Sequence, residues 1–307
     1  MSSAPKPVIL LAGPTASGKT GLSIALARVL DGEIINADSM QIYADLKILS
    51  ARPGEDEQAG IPHHLFGVLD AGERASTGWW ARAAMDAIAD IRARGNRPII
   101  VGGTGLYFEA LTQGLAVMPE ISPATRAKAD AVEADGGDAL RIAADQHDPE
   151  ATAKIKPNDN QRLRRIVEIG IETGRPISEF QSETRPMLAA SDWTGLVIDL
   201  DRDLLYERIE QRFDAMMAAG ALDEARALAA RGLEASLPSM KAIGVPPLIA
   251  ASQCLIKLED AIARAKQDSR RYAKRQLTWF RNRMTDWPRI TLQNGQIDTE
   301  DVISRIG

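Results

Sequence analysis

The octapeptide "GPTASGKT" at residues 13–20 constrains the fold more than any other part of the chain, because it matches the pattern G-x-x-x-x-G-K-[ST]. An apolar run, "VILLA", precedes it and the helix-like segment "GLSIALARVL" follows it, so the octapeptide joins a predicted strand to a predicted helix. In that setting the loop N–H groups and the helix N-terminus face an anion, Lys19 supplies positive charge and the Thr20 hydroxyl can ligate Mg²⁺. The motif predicts a phosphate site but does not identify the phosphate compound.

Strand-like and helix-like segments alternate after this motif. A short strand begins at Glu33, the helical pattern "WWARAAMDAIADIRARG" closes at Gly95, and the apolar segments "RPIIV" and "GLVIDLD" read as buried strands. Such alternation predicts a parallel sheet whose ligands bind at the carboxyl ends of its strands. The three polar turns "GPTASGKT", "ADSMQ" and "GGTG" are therefore expected to converge on one place.

A long helical segment separates the predicted strand "RPIIV" from the predicted strand "GLVIDLD". Residues 119–186 contain capped helical pieces without a strand, including a longer helix from the Asp159 region to a stop at Gly174. We predict an α/β fold with a P-loop NTPase-like parallel sheet flanked by helices. Residues 1–118 would form the first part of the core, 119–186 an all-helical insertion domain, and 187–307 the rest of the core with a basic helical C-terminal region. Residues after Pro288 show no pattern that predicts an element.

Composition limits the cellular compartments and the binding partners that can be expected for this protein. The single cysteine, Cys254, excludes an internal disulfide and a cysteine-based zinc site. No run approaches the ~20 apolar residues of a membrane span, and "MSSAPKP" does not resemble a signal peptide, so we expect a cytoplasmic protein that binds no membrane. Although the net charge is −5, residues 264–289 hold nine Lys or Arg against two Asp. That segment is either a surface for a polyanion or a solvated helix face.

Several side chains could carry chemistry. Asp38, just past a strand end, could coordinate Mg²⁺, orient a substrate hydroxyl, act as a general base or cap a helix. Arg208 and Arg212 lie one helical turn apart and could either neutralise a leaving phosphate or form ion pairs on an exposed face. Asp199 and Asp201 could form an acidic strand end or cap the next helix. The strand before "GGTG" lacks the terminal acidic residue that ATP-hydrolysing P-loop proteins use.

Seven segments, in one order along nearly the whole chain, together resemble the tRNA dimethylallyltransferases, or tRNA isopentenyl transferases, which modify the adenosine 3′ of the anticodon. The segments are "GPTASGKT" (13–20), "NADSMQIY" (36–43), "ARP" (51–53), "VGGTGLYFEAL" (101–111), "PNDNQRLRR" (157–165), "RIEQRFDAMMAAGALDEA" (208–225) and "AKRQLTWFRNR" (273–283). The P-loop alone occurs in many enzymes, whereas this ordered set is specific. In one departure from the family pattern, Val245, Pro246 and Pro247 follow Gly244.

The resemblance implies a Mg²⁺-dependent transfer from dimethylallyl diphosphate to the exocyclic N6 of that adenosine. Asp38 would be the general base, Thr104 would lie near the reacting groups, and Lys19, Thr20 and Arg212 would receive the charge of the departing diphosphate. The diphosphate would be held by the loop residues Gly13, Pro14, Thr15, Ala16, Ser17, Gly18, Lys19 and Thr20, and the metal by Thr20.

The resemblance also implies residues that contact the anticodon stem-loop of tRNA. These are Asp38, Ser39, Met40, Gln41, Thr104, Arg126, Gln161, Arg162, Arg165, Lys274, Arg275, Gln276 and Arg281. We expect the protein to act as a monomer. The residues alone leave two alternative functions open, that of a small-molecule P-loop kinase and that of a non-enzymatic RNA-binding module. The kinase requires ATP as the phosphoryl donor. The intact set of Lys19, Thr20 and Asp38 argues against the non-enzymatic module.

Overall fold

A computed structural model describes residues 6–116, 118–182, 184–292 and 297–306. The chain divides into two compact units, one formed by Met1–Glu109 with Leu188–Gly307 and the other by Ala110–Met187. The insertion predicted at residues 119–186 lies within the second, smaller unit. No helix among the described residues is both long enough and apolar enough to cross a membrane.

The larger unit is built on a six-stranded sheet in which every pairing is parallel. Its strands are β1 (Val8–Ala12), β2 (Gly32–Asn36), β3 (His63–His64), β4 (Arg97–Gly102), β5 (Trp193–Asp199) and β6 (Arg289–Thr291), in the order β3-β2-β4-β1-β5-β6. All five residues of β1 are buried, as expected for a central strand with both faces covered. The predicted fold class is therefore confirmed.

Fourteen α-helices occur among the described residues. Those of the larger unit and its boundary are α1 (Lys19–Leu30), α2 (Glu55–Gln58), α3 (Thr77–Ala93), α4 (Gly105–Thr112), α10 (Arg202–Ala218), α11 (Ala221–Ala230), α12 (Val245–Ser252), α13 (Leu258–Arg283) and α14 (Thr299–Ile306). Those of the smaller unit are α5 (Pro123–Ala134), α6 (Ala139–His147), α7 (Pro149–Ala153), α8 (Asn160–Thr173) and α9 (Ile177–Ser182).

Local sequence signals set several of these boundaries. Asp159 caps α8 by accepting a hydrogen bond from the backbone N–H of Arg162, and Gly174 ends the helix with a φ of 67°. Asp201 caps α10 through the N–H groups of Asp203 and Leu204, which decides between the two roles open to it. Prolines in the first turn of α12 are tolerated, since the N–H groups there have no helical partner.

The last strand and the last helix were not predicted. Residues after Pro288 carry no sequence pattern that predicts an element, yet β6 begins at Arg289 and pairs with β5, and α14 packs against α1. β6 has only three residues, too few for a periodic pattern, so its strand conformation depends on its pairing with β5.

The smaller unit has its own hydrophobic core. Buried residues of α5, α6 and α8 pack together with Ile121 and Ile177. The buried carboxylate of Asp148 joins α7 to α9, since it accepts hydrogen bonds from the N–H groups of Ala151 at 2.9 Å and Ser178 at 2.8 Å. Its described residues form α-helices and connecting loops and no strand, as the sequence predicted.

Candidate active site

The phosphate-binding loop connects β1 to α1 and is tightly wound. A Cβ atom at Gly13 would lie 2.9 Å from the Ser17 Oγ, and Gly18 has a φ of 88°, so both positions favour glycine. The Lys19 Nζ donates a hydrogen bond of 2.6 Å to the Pro14 carbonyl, and the exposed Thr20 lies in the first turn of α1. The N-terminus of α1 and the Lys19 ammonium thus form a site for an anion.

Two buried cations give this site its electrostatic character. Burial lowers the pKa of Lys19 to about 7; the carboxylate of Asp38 opposes that shift and the charge of Arg212 adds to it. Burial also lowers the pKa of Arg212, and Asp38 again opposes the change. A polyanion placed between the two side chains would relieve the cost of burying their charges.

Asp38 is held in a fixed turn after β2. Its N–H donates to the Asn36 Oδ1 at 2.8 Å, and its own Oδ1 accepts from the N–H of Met40 at 2.9 Å. The side chain of Asn36 also donates to the carbonyls of Asp38 and Leu65, at 3.0 Å each. Asp38 therefore presents its carboxylate from a rigid support rather than from a free loop.

The "GGTG" turn packs directly against the turn that carries Asp38. A Cβ atom at Gly102 would lie 2.0 Å from the Ala37 carbonyl oxygen, which explains the glycine. The N–H of Thr104 donates to that carbonyl at 3.1 Å, and its Oγ1 accepts from the N–H of Ser39 at 3.0 Å. Because the N–H of Gly13 also donates to the Gly102 carbonyl at 3.3 Å, the three predicted turns do converge.

Arg212 faces this site from α10. Its guanidinium donates to the Thr15 hydroxyl in the phosphate loop. The alternative of an exposed ion-pairing face is wrong for Arg212, because Glu210 pairs with Arg270 and Glu207 accepts a hydrogen bond from Gln211.

Two cavities of the larger unit adjoin at these residues. One, of about 400 Å³, is lined by the phosphate loop and by side chains that include Ile34, Phe66 and Arg208. The other, of about 260 Å³, is lined by apolar and basic side chains that include Met40, Phe213 and Arg275. Four residues line both cavities, namely Thr15, Asp38, Ser50 and Arg212. A carboxylate and a guanidinium therefore stand where the contents of the two cavities would meet.

The residues implied in tRNA contact lie in several places. Ser39, Met40 and Gln41 are partly buried and line the two cavities, and Thr104 is partly buried beside Ser39. Lys274, Arg275 and Arg281 are exposed on α13. In the smaller unit, Arg126 lies on α5, and Gln161, Arg162 and Arg165 lie on α8. Arg165 is partly buried and pairs with Glu168, whereas the other three residues are exposed.

Gln276 does not fit a surface contact. The residue is only 4% exposed, and both ends of its amide bond to groups inside the protein. Its Oε1 accepts from the N–H of Thr15 at 2.9 Å, and its Nε2 donates to the Gly103 carbonyl at 2.9 Å. This arrangement argues against the RNA contact that the resemblance implied for Gln276, because the residue is buried and its amide bonds to two backbone groups of the protein.

Three aromatic residues that sequence reasoning did not place at the site support it. Trp80 is fully buried, donates from Nε1 to the Asn36 carbonyl at 2.7 Å, and stacks on Tyr107 with ring centroids 4.1 Å apart. Burial and then the charge of Asp38 raise the pKa of Tyr272, while a hydrogen bond with Thr104 opposes the rise. No sequence signal distinguishes these aromatic residues from ordinary core residues.

Comparison with known proteins assigns the chain to a family. Residues 41–283 match the family model described as IPP transferase, and residues 6–64 match the model described as isopentenyl transferase. The chain belongs to the IPP transferase family. The resemblance inferred from the ordered motifs is thereby confirmed, and the segment matched by the first model extends from Gln41 in the turn that carries Asp38 to Arg283 at the end of α13.

Similar proteins cover almost the full length of the chain. It is 54% identical over 301 residues to the tRNA dimethylallyltransferase of Maricaulis maris (strain MCS10), which covers 98% of this chain and 96% of that protein. The crystal structure of the full-length tRNA isopentenylpyrophosphate transferase of Bacillus halodurans has a TM-score of 0.69 at 34% identity, covering 98% and 94% of the two chains. A eukaryotic dimethylallyltransferase acting on tRNA has a TM-score of 0.80 at 31% identity, covering 93% and 74%.

Proposed function

We propose that this protein transfers a dimethylallyl group from dimethylallyl diphosphate to the N6 atom of the adenosine next to the anticodon on its 3′ side. The observation that carries the proposal is the pair of adjoining cavities with Asp38 and Arg212 in their common wall. One cavity contains a complete phosphate loop for the donor. The other offers apolar surfaces and the aromatic ring of Tyr272, which suit a purine removed from its stack.

The diphosphate would bind residues 13–20. The loop N–H groups, Lys19 and Arg212 supply positive charge there, and the prenyl chain would extend toward Ile34 and Phe66 in the same cavity. These cations stabilise the negative charge that develops on the diphosphate as it leaves.

Magnesium fits this donor set. Among the described residues no group of three or more His, Cys, Asp or Glu side chains could hold a metal by itself. Mg²⁺ is commonly held by one or two protein oxygens, substrate phosphates and water, and the exposed Thr20 hydroxyl beside the loop supplies such an oxygen. When bound, the ion would add positive charge at the diphosphate.

Asp38 would act as the general base of the transfer. The N6 lone pair forms a bond to the allylic carbon, the bond from that carbon to the diphosphate oxygen breaks with its electron pair going to diphosphate, and the N6 proton passes to the Asp38 carboxylate. The exocyclic amine is a weak nucleophile because its lone pair is delocalised into the purine ring. Holding both reactants at the common wall of the two cavities compensates for that weakness.

The anticodon stem-loop would bind through the exposed cations of α13, Lys274, Arg275 and Arg281, and through Arg126, Gln161, Arg162 and Arg165 of the smaller unit. We propose that the enzyme acts as a monomer in the cytoplasm, where its tRNA substrate would be found.

The test is transfer by the purified protein. With Mg²⁺, dimethylallyl diphosphate and an anticodon stem-loop, mass spectrometry should detect a five-carbon addition to one adenosine and release of diphosphate. ATP in place of the prenyl donor should give no phosphoryl transfer. If no five-carbon addition is detected but ATP-dependent phosphorylation of a small molecule is, the result would instead support a P-loop kinase.

Asp38→Asn tests the base. Asparagine keeps an oxygen that can accept from the N–H of Met40, so the turn is preserved while the basic group is lost. We expect kcat to fall by roughly 10²- to 10⁴-fold, the usual cost of a lost general base, with pyrophosphate binding retained. The matched control is Asp86→Asn, an exposed aspartate on α3. Equal rates for both variants would remove Asp38 from this role.

A further inference from the structure

One face of α13 is fitted closely to the "GGTG" turn. Tyr272, Gln276 and Trp279 follow one another at helical spacing on this face. Tyr272 interacts with Thr104, Gln276 bonds to Gly103, and a Cβ atom at Gly105 would lie 2.2 Å from the indole ring of Trp279. Three successive residues of the turn thus have their positions set by α13.

Gln276 extends this contact to the phosphate loop. A Cβ atom at Gly103 would lie 2.1 Å from its Nε2, so the amide fills the space that the glycine leaves. Its two hydrogen bonds, each 2.9 Å long, join the N–H of Thr15 to the carbonyl of Gly103. One planar amide therefore fixes the separation between the loop that would hold the donor and the turn that carries Thr104.

The bond to Thr15 also bears on Arg212. The Thr15 hydroxyl accepts a hydrogen bond from the Arg212 guanidinium. Moving the Thr15 backbone would move the acceptor of a buried cation, and both residues line both cavities. Gln276 touches neither cavity, and so it would act only through Thr15 and Gly103.

The outer face of the same helix is basic. Lys274 and Arg275, immediately before Gln276, are exposed. A single helix therefore carries exposed cations and, in the next residue, a buried amide that bonds to the phosphate loop.

We infer that Gln276 is a positioning residue for prenyl transfer, which holds Thr15 and through it Arg212 in register with the "GGTG" turn, and that it makes no contact with tRNA. This inference rests on the proposed function. It predicts that loss of the amide weakens the binding of diphosphate and slows transfer, while the binding of tRNA is unchanged.

The test compares Gln276→Met with Gln267→Met, an exposed glutamine on the same helix. Methionine preserves the length of the side chain and removes both hydrogen bonds, which leaves the N–H of Thr15 and the carbonyl of Gly103 unpaired. We expect Gln276→Met to lower kcat and the calorimetric affinity for inorganic pyrophosphate by about 10- to 100-fold. The KM for the anticodon stem-loop should stay within about twofold, and Gln267→Met should match the wild type.

A double-mutant cycle with Thr15→Val locates the effect. Valine removes the hydroxyl that Arg212 contacts and leaves the backbone N–H in place. If Gln276 acts through this contact, the double variant should be less impaired than the product of the two single effects. Should Gln276→Met not fold, Gln276→Leu, which also lacks both hydrogen-bonding groups of the amide, replaces it in the same cycle.

The outcomes separate the inference from the proposed function. Wild-type protein that binds no pyrophosphate and transfers no prenyl group would refute the proposed function. With an active wild type, multiplicative effects in the cycle, or a raised KM for the stem-loop at unchanged kcat, would overturn the inference.

Discussion

The low pKa of Lys19 makes diphosphate binding dependent on pH. Burial places that pKa at about 7, so near pH 7 about half of the free enzyme carries an uncharged amine. A bound diphosphate favours the charged ammonium and raises the pKa. Binding must therefore take up a proton whenever the free amine is neutral, and the affinity must fall as the pH rises above 7.

The size of the effect follows from a Lys19 pKa of about 7. The fraction of free enzyme that is already protonated falls as 1/(1 + 10^(pH − 7)). Between pH 6.5 and pH 8.5 this fraction, and with it the contribution of Lys19 to the affinity, declines roughly 25-fold. Below pH 6 the contribution should be constant.

Isothermal titration calorimetry with pyrophosphate, in a chelator and at several pH values, measures this decline. Because pyrophosphate itself ionises in this range, the same titration with Lys19→Arg is the control, since a guanidinium stays charged throughout. The ratio of wild-type to variant affinity should fall by about 25-fold over the two pH units. A constant ratio would show that Lys19 is already charged in the free site, and the reasoning from its burial would be refuted.

Three further predictions concern other parts of the molecule. The buried carboxylate of Glu33 accepts hydrogen bonds from Arg94, Asn96 and His64. These hydrogen bonds, above all the one from Arg94, lower the pKa of Glu33 to about 2. The contribution of the Glu33 carboxylate to stability is thus complete above pH 4.5 and is lost toward pH 2. Glu33→Gln should therefore lower the free energy of unfolding by about 3 kcal/mol at pH 7 and by less at pH 3.5. An equal loss at both pH values in urea denaturation would contradict this. Arg212→Gln should reduce both pyrophosphate affinity and kcat, because it removes a buried cation shared by the two cavities. If stopped-flow or steady-state transfer assays show a change in the KM for tRNA alone, this prediction is wrong. Lys274→Gln should reduce the slope of log affinity for the stem-loop against log salt by about 1, measured by filter binding, and an unchanged slope would mean that Lys274 meets no phosphate.

Local sequence was sufficient for the main elements of the larger unit. The motif at residues 13–20, the apolar strands and the alternation of strands with helices predicted the parallel sheet, because each depends on neighbours within a few residues. The same is true of α8, whose start at Asp159 and stop at Gly174 are set by capping groups inside the helix and its ends.

The sequence by itself determined that a phosphate loop, the turn of Asp38 and the "GGTG" turn would meet, because parallel strands bring their carboxyl ends to one edge. Only the tertiary structure decided the rest. It paired β6 with β5, directed Arg212 at Thr15 rather than at its helical neighbours, and buried Gln276 against a loop 261 residues away. The physical reason is distance along the chain: caps and periodicity act over a few residues, whereas these contacts exist only after packing has brought separate segments together.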